Sequence, residues 1–264
     1  MNSKPYIFVI GNEKGGAGKT TCSMHLIIAL LYQNYSVVSI DTDSRQSSLT
    51  NYLKNRDLYN KHNPDKPVLV PKHFHIPESK VEEQAKNFEQ VLKNNKYADY
   101  IVIDTPGSHT PLSRLAHSYA DMIITPINDS FLDLDVIAKI DSKDEIISPS
   151  IYSQMIWEQK IERASRDRIS IDWIILRNRL SNLDALNKRR VGNVLTKLAK
   201  RINFKLAEGF SERVIYRELF LQGLTLLDLN IAKYDRAFHS SHLLARQELR
   251  NFLDFLGIKT MFKG

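Results

Sequence analysis

The sequence predicts an α/β fold: a doubly wound, mostly parallel sheet flanked by helices. Three observations carry the prediction. Short runs rich in β-branched and aromatic residues alternate with helical stretches, which calls for right-handed crossovers. The runs are mainly apolar without strict alternation, as suits strands buried on both faces. The first of them opens at once into a glycine-rich turn and a helix.

The elements follow in order. Tyr6–Ile10 is the first expected strand, Thr20–Gln33 the first helix and Val37–Ile40 the second strand. Asn60–Pro77 holds four prolines (64, 67, 71 and 77) and is expected to be a surface loop, with a short strand at Val68–Val70. Val81–Leu92 is the second helix. Ser79-x-x-Glu82 ahead of it has the spacing at which a serine and an acid satisfy each other's backbone amides. Further strands are expected at Tyr100–Ile103, Met122–Thr125 and Asp172–Leu176. A long charged helix is expected at Tyr152–Arg168, after a polar connection, Asp141–Ser150. Neither interruption is long or biased enough for a linker, and no repeat occurs. Residues 1–264 are therefore expected to form a single domain.

Composition bounds the function. The chain carries 37 Lys and Arg against 30 Asp and Glu, a net charge of +7. With 42% hydrophobic and 25% charged residues it is globular, which excludes a wholly disordered or collagen-like protein. A chain of this length buries roughly three quarters of its unfolded surface and needs no staple. The one cysteine, Cys22, can form no internal disulfide. The longest uncharged apolar stretch, Leu26–Leu31, is far below the roughly 18 residues of a membrane span. Met1–Pro5 leads into the first strand without a signal-peptide pattern. A cytoplasmic protein is expected.

The chemistry starts at Gly11-Asn-Glu-Lys-Gly-Gly-Ala-Gly-Lys-Thr-Thr21, set between a buried strand and a helix. Gly15, Gly16, Ala17 and Gly18 let the backbone turn tightly and aim several N–H groups at one anion. The helix N-terminus adds its dipole, and Lys19 a full charge. Thr20 offers a hydroxyl to Mg²⁺, with Thr21 beside it. An ordinary phosphate loop would have glycine at position 13, where this chain has Glu13; it has instead a second lysine, Lys14. Acids close the next strands: Asp41 and Asp43 after Val37–Ile40, and Asp104 in Asp104-Thr-Pro-Gly107. Carboxylates there can hold a Mg²⁺-bound water or orient an attacking one. Solvated or helix-capping aspartates are the plainer alternative. Asn178, after Asp172–Leu176, can donate to and accept from an adenine edge, or it is a turn residue.

Lys-Gly-Gly-Ala-Gly-Lys-Thr-Thr resembles the deviant Walker A motif of the ParA/MinD family of P-loop ATPases. The resemblance implies an ATP/ADP- and Mg²⁺-dependent ATPase that forms a nucleotide-sandwich homodimer. Lys14 would reach the partner's phosphates, and a cation delivered in trans can change phosphoryl transfer by roughly 10³–10⁵-fold. Lys19 would hold its own nucleotide. Asp43 would place the lytic water, with Asp41 near the metal, although the usual Asp-x-Asp-Pro-Gln reads Asp43-Ser-Arg-Gln46 here. Asp104 would bind Mg²⁺ through water, Gly107 would sense the γ-phosphate through its amide, and Asn178 would meet adenine. Gly223–Asp228 would wall the base, or form a core strand.

Five blocks narrow the resemblance to the MipZ branch of division-plane regulators. They are the phosphate loop, Asn128-Asp-Ser-Phe131, Leu176-Arg-Asn-Arg-Leu180, Arg213–Phe220 and Gly223–Leu229. That branch implies a ParB-like partition protein as partner and inhibition of FtsZ by the ATP-bound dimer. Asp129, Asp133 and Asp135 belong either to such a partner surface or, more plainly, to helix capping. Relatives that hold an iron–sulfur cluster need two cysteines per subunit, which this chain lacks. Relatives that bind membranes end in an amphipathic helix, whereas here only Ile258–Gly264 follows a helix of ordinary core spacing, so no membrane partner is expected.

The charge is concentrated. Lys188–Lys205 holds seven basic residues and no acid, and without those seven the chain balances 30 basic against 30 acidic residues. Val191, Val194, Leu195, Leu198 and Ile202 form an apolar stripe; Arg189, Arg190, Lys197, Lys200 and Arg201 lie opposite. A one-signed face suits non-specific contact with DNA phosphates, as in the family, where the ATP-bound dimer is nucleoid-associated. A solvated face is the plainer alternative. His73 and His75, with His62 nearby, are too few to read as a zinc site; His25 and His117 fall inside helical patterns. Two other readings remain: a plasmid-type ParA moving DNA cargo, and a small-molecule P-loop ligase or kinase.

Overall fold

A computed structural model describes residues 4–141, 143, 145–180, 185–232 and 240–258, with backbone alone at 185–188 and 240–241. Seven strands form one sheet: β1 (Tyr6–Ile10), β2 (Val37–Asp41), β3 (Lys72–His75), β4 (Tyr100–Asp104), β5 (Met122–Asn128), β8 (Asp172–Leu180) and β9 (Lys205–Ser211). Their order is β3-β2-β4-β1-β5-β8-β9. The pairings β2–β3, β2–β4, β1–β5, β5–β8 and β8–β9 are parallel. Strands β6 (Ala138–Ile140) and β7 (Ile146–Pro149) make a separate antiparallel hairpin. The doubly wound α/β expectation holds.

The chain divides into two compact units. One comprises residues 1–6, 20–104 and 213–264, the other residues 7–19 and 105–212. In the first, α1 (Lys19–Tyr32) is apolar nearly all round and buries Met24 and Leu26–Leu30, as a central helix should. It stops where Asn34 turns left-handed at φ 63°. This unit also contains α2 (Ser48–His62), α3 (Val81–Asn94), α8 (Ile215–Gln222) and α9 (Ser240–Phe255). A bidentate pair between Arg56 of α2 and Asp228, both fully buried, ties α2 to the segment after α8 at 2.7 and 2.8 Å. The second unit contains α4 (Pro111–Ser118), the short α5 (Phe131–Leu134), α6 (Ile151–Asp167) and α7 (Ala185–Ile202).

Several local expectations are corrected. The strand expected at Val68–Val70 lies at Lys72–His75, where the chain is free of the flanking prolines 67 and 71 and pairs with β2. The expected loop from Asn60 begins as the last turn of α2. Ser79 caps nothing: Lys80 precedes α3, makes no side-chain cap, and the Ser79 hydroxyl is buried without a partner. The polar connection Asp141–Ser150 contains β7. Gly223–Asp228 is a series of turns, not a strand, held by Thr225 donating to Asp228.

Candidate functional site

In the second unit, β1 ends in a loop held open from below. Asn12 is buried; its amide donates to the Pro126 carbonyl at 2.6 Å and its Oδ1 accepts the Lys14 amide at 2.7 Å. Lys19 is largely buried and donates from Nζ to the Lys14 carbonyl at 3.1 Å, so its charge lies across the loop. Gly18 has φ 91°, and a Cβ there would lie 2.1 Å from the Asn178 amide nitrogen, so only glycine fits. Asn178 itself donates to the Ala17 carbonyl at 2.8 Å, which puts it against the loop. A Cβ on Gly107 would come within 3.3 Å of Lys19 Nζ and 3.2 Å of the Gly15 amide; its absence keeps that corner open. The structure thus brings Gly15, Gly16, Ala17, Gly18, Lys19, Gly107 and Asn178 together.

The Lys14 ammonium is ion-paired with Asp133. Asp133 is buried, and its other oxygen accepts the Asn128 amide at 3.0 Å. Asp129, whose side chain is also enclosed, pairs with Arg177 and donates its own amide to the Asn178 carbonyl at 3.0 Å. Two of the three acids of the Asn128–Asp135 segment, Asp133 and Asp129, therefore hold cations of the loop and of β8. Their sequence signal, a segment of three acids with a helix-start serine, gave no hint of those partners.

In the first unit, β2 and β4 end side by side, with Asp41 and Asp104 in register. Asp104 is buried and accepts from Thr20 Oγ1 at 2.7 Å and Ser23 Oγ at 3.0 Å. Asp41 is fully buried. It accepts the Asp43 amide at 3.0 Å on one oxygen, and the Thr50 amide and hydroxyl at 2.9 and 2.8 Å on the other. Burial pushes the Asp41 carboxyl up, and these bonds oppose the rise. Thr50 sits in the first turn of α2, so Asp41 also caps that helix from outside it. Asp43 is half-buried, and its Oδ1 accepts the Gln46 amide at 2.9 Å. Thr21 gives its carbonyl to His25 Nδ1 at 2.8 Å, and burial pulls His25 down to about 4. Burial raises the Cys22 thiol, which leaves it a core residue.

The donors suit Mg²⁺: hydroxyl and carboxylate oxygens, with no group of three or more His, Cys, Asp or Glu among the described residues. Mg²⁺ is commonly held by one or two carboxylates and completed by substrate phosphates and water.

On α7, Val191, Val194, Leu195 and Leu198 are buried, whereas Arg189, Arg190, Lys197, Lys200 and Arg201 are exposed. The Lys188 side chain lies outside the described residues. Lys197 reaches Glu145 at 3.4 Å, Arg201 donates to the Ile146 carbonyl at 3.1 Å, and the Arg190 guanidinium lies 4.9 Å from the Phe131 ring centre. Among the described residues no helix is long and apolar enough to cross a membrane. The tail beyond Ile258 lies outside them.

A strand, glycine loop and helix N-terminus, with acids closing two paired strands, define a P-loop nucleotide-binding protein. The family described as ATPase MipZ matches residues 6–260, and the chain belongs to that family. Solved structures share the fold at low identity. An aspartate-to-alanine variant of McdA from Cyanothece, in complex with ATP, is 18% identical over 99% of this chain and 100% of its own (TM-score 0.62). MinD from Pyrococcus horikoshii, in complex with Mg-ADP, is 18% identical over 98% and 100% (TM-score 0.58). A plasmid partition protein from Borrelia burgdorferi B31 bound to AMPPNP is 20% identical over 96% and 99% (TM-score 0.55). No curated protein sequence matches the chain closely enough to count as a relative.

Proposed function

We propose that this chain is a nucleotide-switched positioning ATPase whose ATP-bound form is a homodimer, and that slow hydrolysis returns it to the monomer. One observation supports this above the others: a second lysine precedes the glycines of a complete phosphate loop, and Asp133 keeps that lysine on its own chain. Lys19 and the loop amides bind the phosphates. The Thr20 hydroxyl, Asp104 and the neighbouring Asp41 are the groups that would hold Mg²⁺, which supplies charge neutralisation at the phosphates. Gly107 would offer its amide to the terminal phosphate, and Asn178, which reaches the Ala17 carbonyl, would meet the base. Asp43 accepts a proton from, or orients, the attacking water. In the dimer Lys14 leaves Asp133 for the partner's nucleotide, exchanging one anion for another, so the change of state costs little net pairing energy.

The partners follow from the family and the charge. The exposed cations of α7 would meet DNA phosphates without reading bases, and the dimer would double that contact. A ParB-like protein and FtsZ are the protein partners that the family implies, with the ATP-bound dimer inhibiting FtsZ assembly and resting on the nucleoid. The experiment that tests the reading is ATP turnover per protomer against protein concentration. Specific activity should rise with concentration and then level off. Constant specific activity from dilute to concentrated protein would contradict a dimer-dependent ATPase. The second class, a small-molecule ligase or kinase, would instead require a co-substrate for turnover, and it leaves the acid-free basic face of α7 without a role.

A further inference from the structure

His73 lies on β3, one strand away from the acids, and is register-paired with Ser39 of β2. Its two ring nitrogens are both engaged: Nδ1 lies 2.9 Å from Ser39 Oγ, and Nε2 lies 3.0 Å from Thr50 Oγ1. Thr50 Oγ1 in turn donates its single proton to Asp41 Oδ2 at 2.8 Å. That donation fixes every other proton in the chain. Thr50 has no proton left for the imidazole, so it accepts one from His73 Nε2–H. His73 then accepts at Nδ1 from the Ser39 hydroxyl. Burial and the neighbouring His75 pull His73 down to about 4, so it is neutral at physiological pH, as this arrangement needs. The end of the relay, Asp41, holds two points of the turn that carries Asp43: the Asp43 amide itself and the first turn of α2 at Thr50.

We infer that His73 is a positioning residue for Asp43, acting through Thr50 and Asp41. Without the Nε2–H donor, the Thr50 hydroxyl would keep its bond to Asp41 but lose the second contact that fixes its rotamer, and could turn away from Asp41. Asp41 would then grip the turn only through the backbone amides of Asp43 and Thr50. The inference rests on the proposed role of Asp43, but its first two tests require no nucleotide.

Nitrogen NMR of the wild-type protein should find His73 neutral with the proton on Nε2; a proton on Nδ1 overturns the proposal. Amide hydrogen exchange at Asp43 and Thr50 should be faster in His73→Leu and close to wild type in His73→Gln, whose side-chain amide nitrogen replaces Nε2–H. Equal exchange in all three proteins overturns it. With saturating Mg-ATP, His73→Leu should hydrolyse at least about tenfold more slowly while its nucleotide affinity stays within about twofold, because displacement of a reacting group by an ångström or so is costly to the chemical step alone. His73→Gln should recover most of that loss. If Gln is as slow as Leu, or Leu is as fast as wild type, the proposal fails. Thr50→Val breaks the relay from its other end and should reproduce the slow phenotype; wild-type turnover by that variant also overturns it. A wild-type protein with no ATP turnover would defeat the proposed function and leave the tautomer and exchange results standing.

Discussion

At the scale of single residues, the two lysines of the loop have different surroundings, and the proposed division of tasks between them rests on that difference. Lys19 is buried beneath the loop and bonded to its backbone, whereas the Lys14 side chain is 42% exposed and held by one carboxylate. Lys14→Ala should therefore leave nucleotide affinity within a few fold and abolish the ATP-dependent dimer. Titration with a fluorescent nucleotide, followed by sizing, checks both halves. Asp133→Asn removes the anion that retains Lys14, and it should lower the concentration of protein at which the ATP-bound dimer forms. An unchanged dimerisation curve would mean that the pair does not compete with the interface. Asp43→Ala should dimerise with ATP but turn over roughly 10²–10⁴-fold more slowly, the range for loss of a positioned base.

At the scale of elements, α7 is the sharpest case. Its buried stripe and exposed cations follow from helical periodicity alone, and they carry a prediction about DNA. Arg189→Glu with Arg190→Glu should weaken ATP-dependent DNA retention and reduce the slope of log affinity against log salt by about one for each phosphate no longer neutralised. Unchanged retention on filters would return the stripe to a solvated face. The strands of the sheet core were equally legible, because β1, β2, β4 and β5 are buried on both faces and carry mainly apolar runs without strict alternation. Edge and polar elements were not. Lys72-His-Phe-His75 forms an edge strand whose side chains are half-exposed, so its sequence lacks the apolar run. Helix α2 buries only Leu49, Tyr52, Leu53 and Arg56, and its other positions are mainly Asn, Lys and Asp. In the site, the loop, Asp41, Asp43, Asp104 and Asn178 were identifiable because local spacing carries them. Asp133, Thr50 and His73 were not, because their partners lie 119, 9 and 34 residues away and no local pattern encodes the meeting.

At the scale of the whole molecule, a buried ion pair supports the fold. The Arg56–Asp228 pair is fully buried, with Asp228 also accepting from Tyr32 and Thr225. Bonds to Arg56, Tyr32 and Thr225 hold the Asp228 carboxyl below its ordinary value, even though burial opposes them. A depressed carboxyl stabilises the fold above the unfolded-state value and loses that contribution as pH falls through the folded-state value. Acid unfolding should therefore include this group below about pH 4. Arg56→Ala leaves Asp228 buried without its cation and should cost about 3–5 kcal/mol in denaturant melts. A loss under about 1 kcal/mol would mean that solvent reaches the site.

The central claim is that ATP unites two copies of this chain through Lys14. Light scattering of the wild-type protein and of Lys14→Ala, each with Mg²⁺ and either ADP or a non-hydrolysable ATP analogue, tests it most directly. A doubled mass is expected for the wild-type protein with the analogue alone, and a monomer in the other three samples. A wild-type monomer at saturating analogue, or a full dimer of the variant, would contradict it.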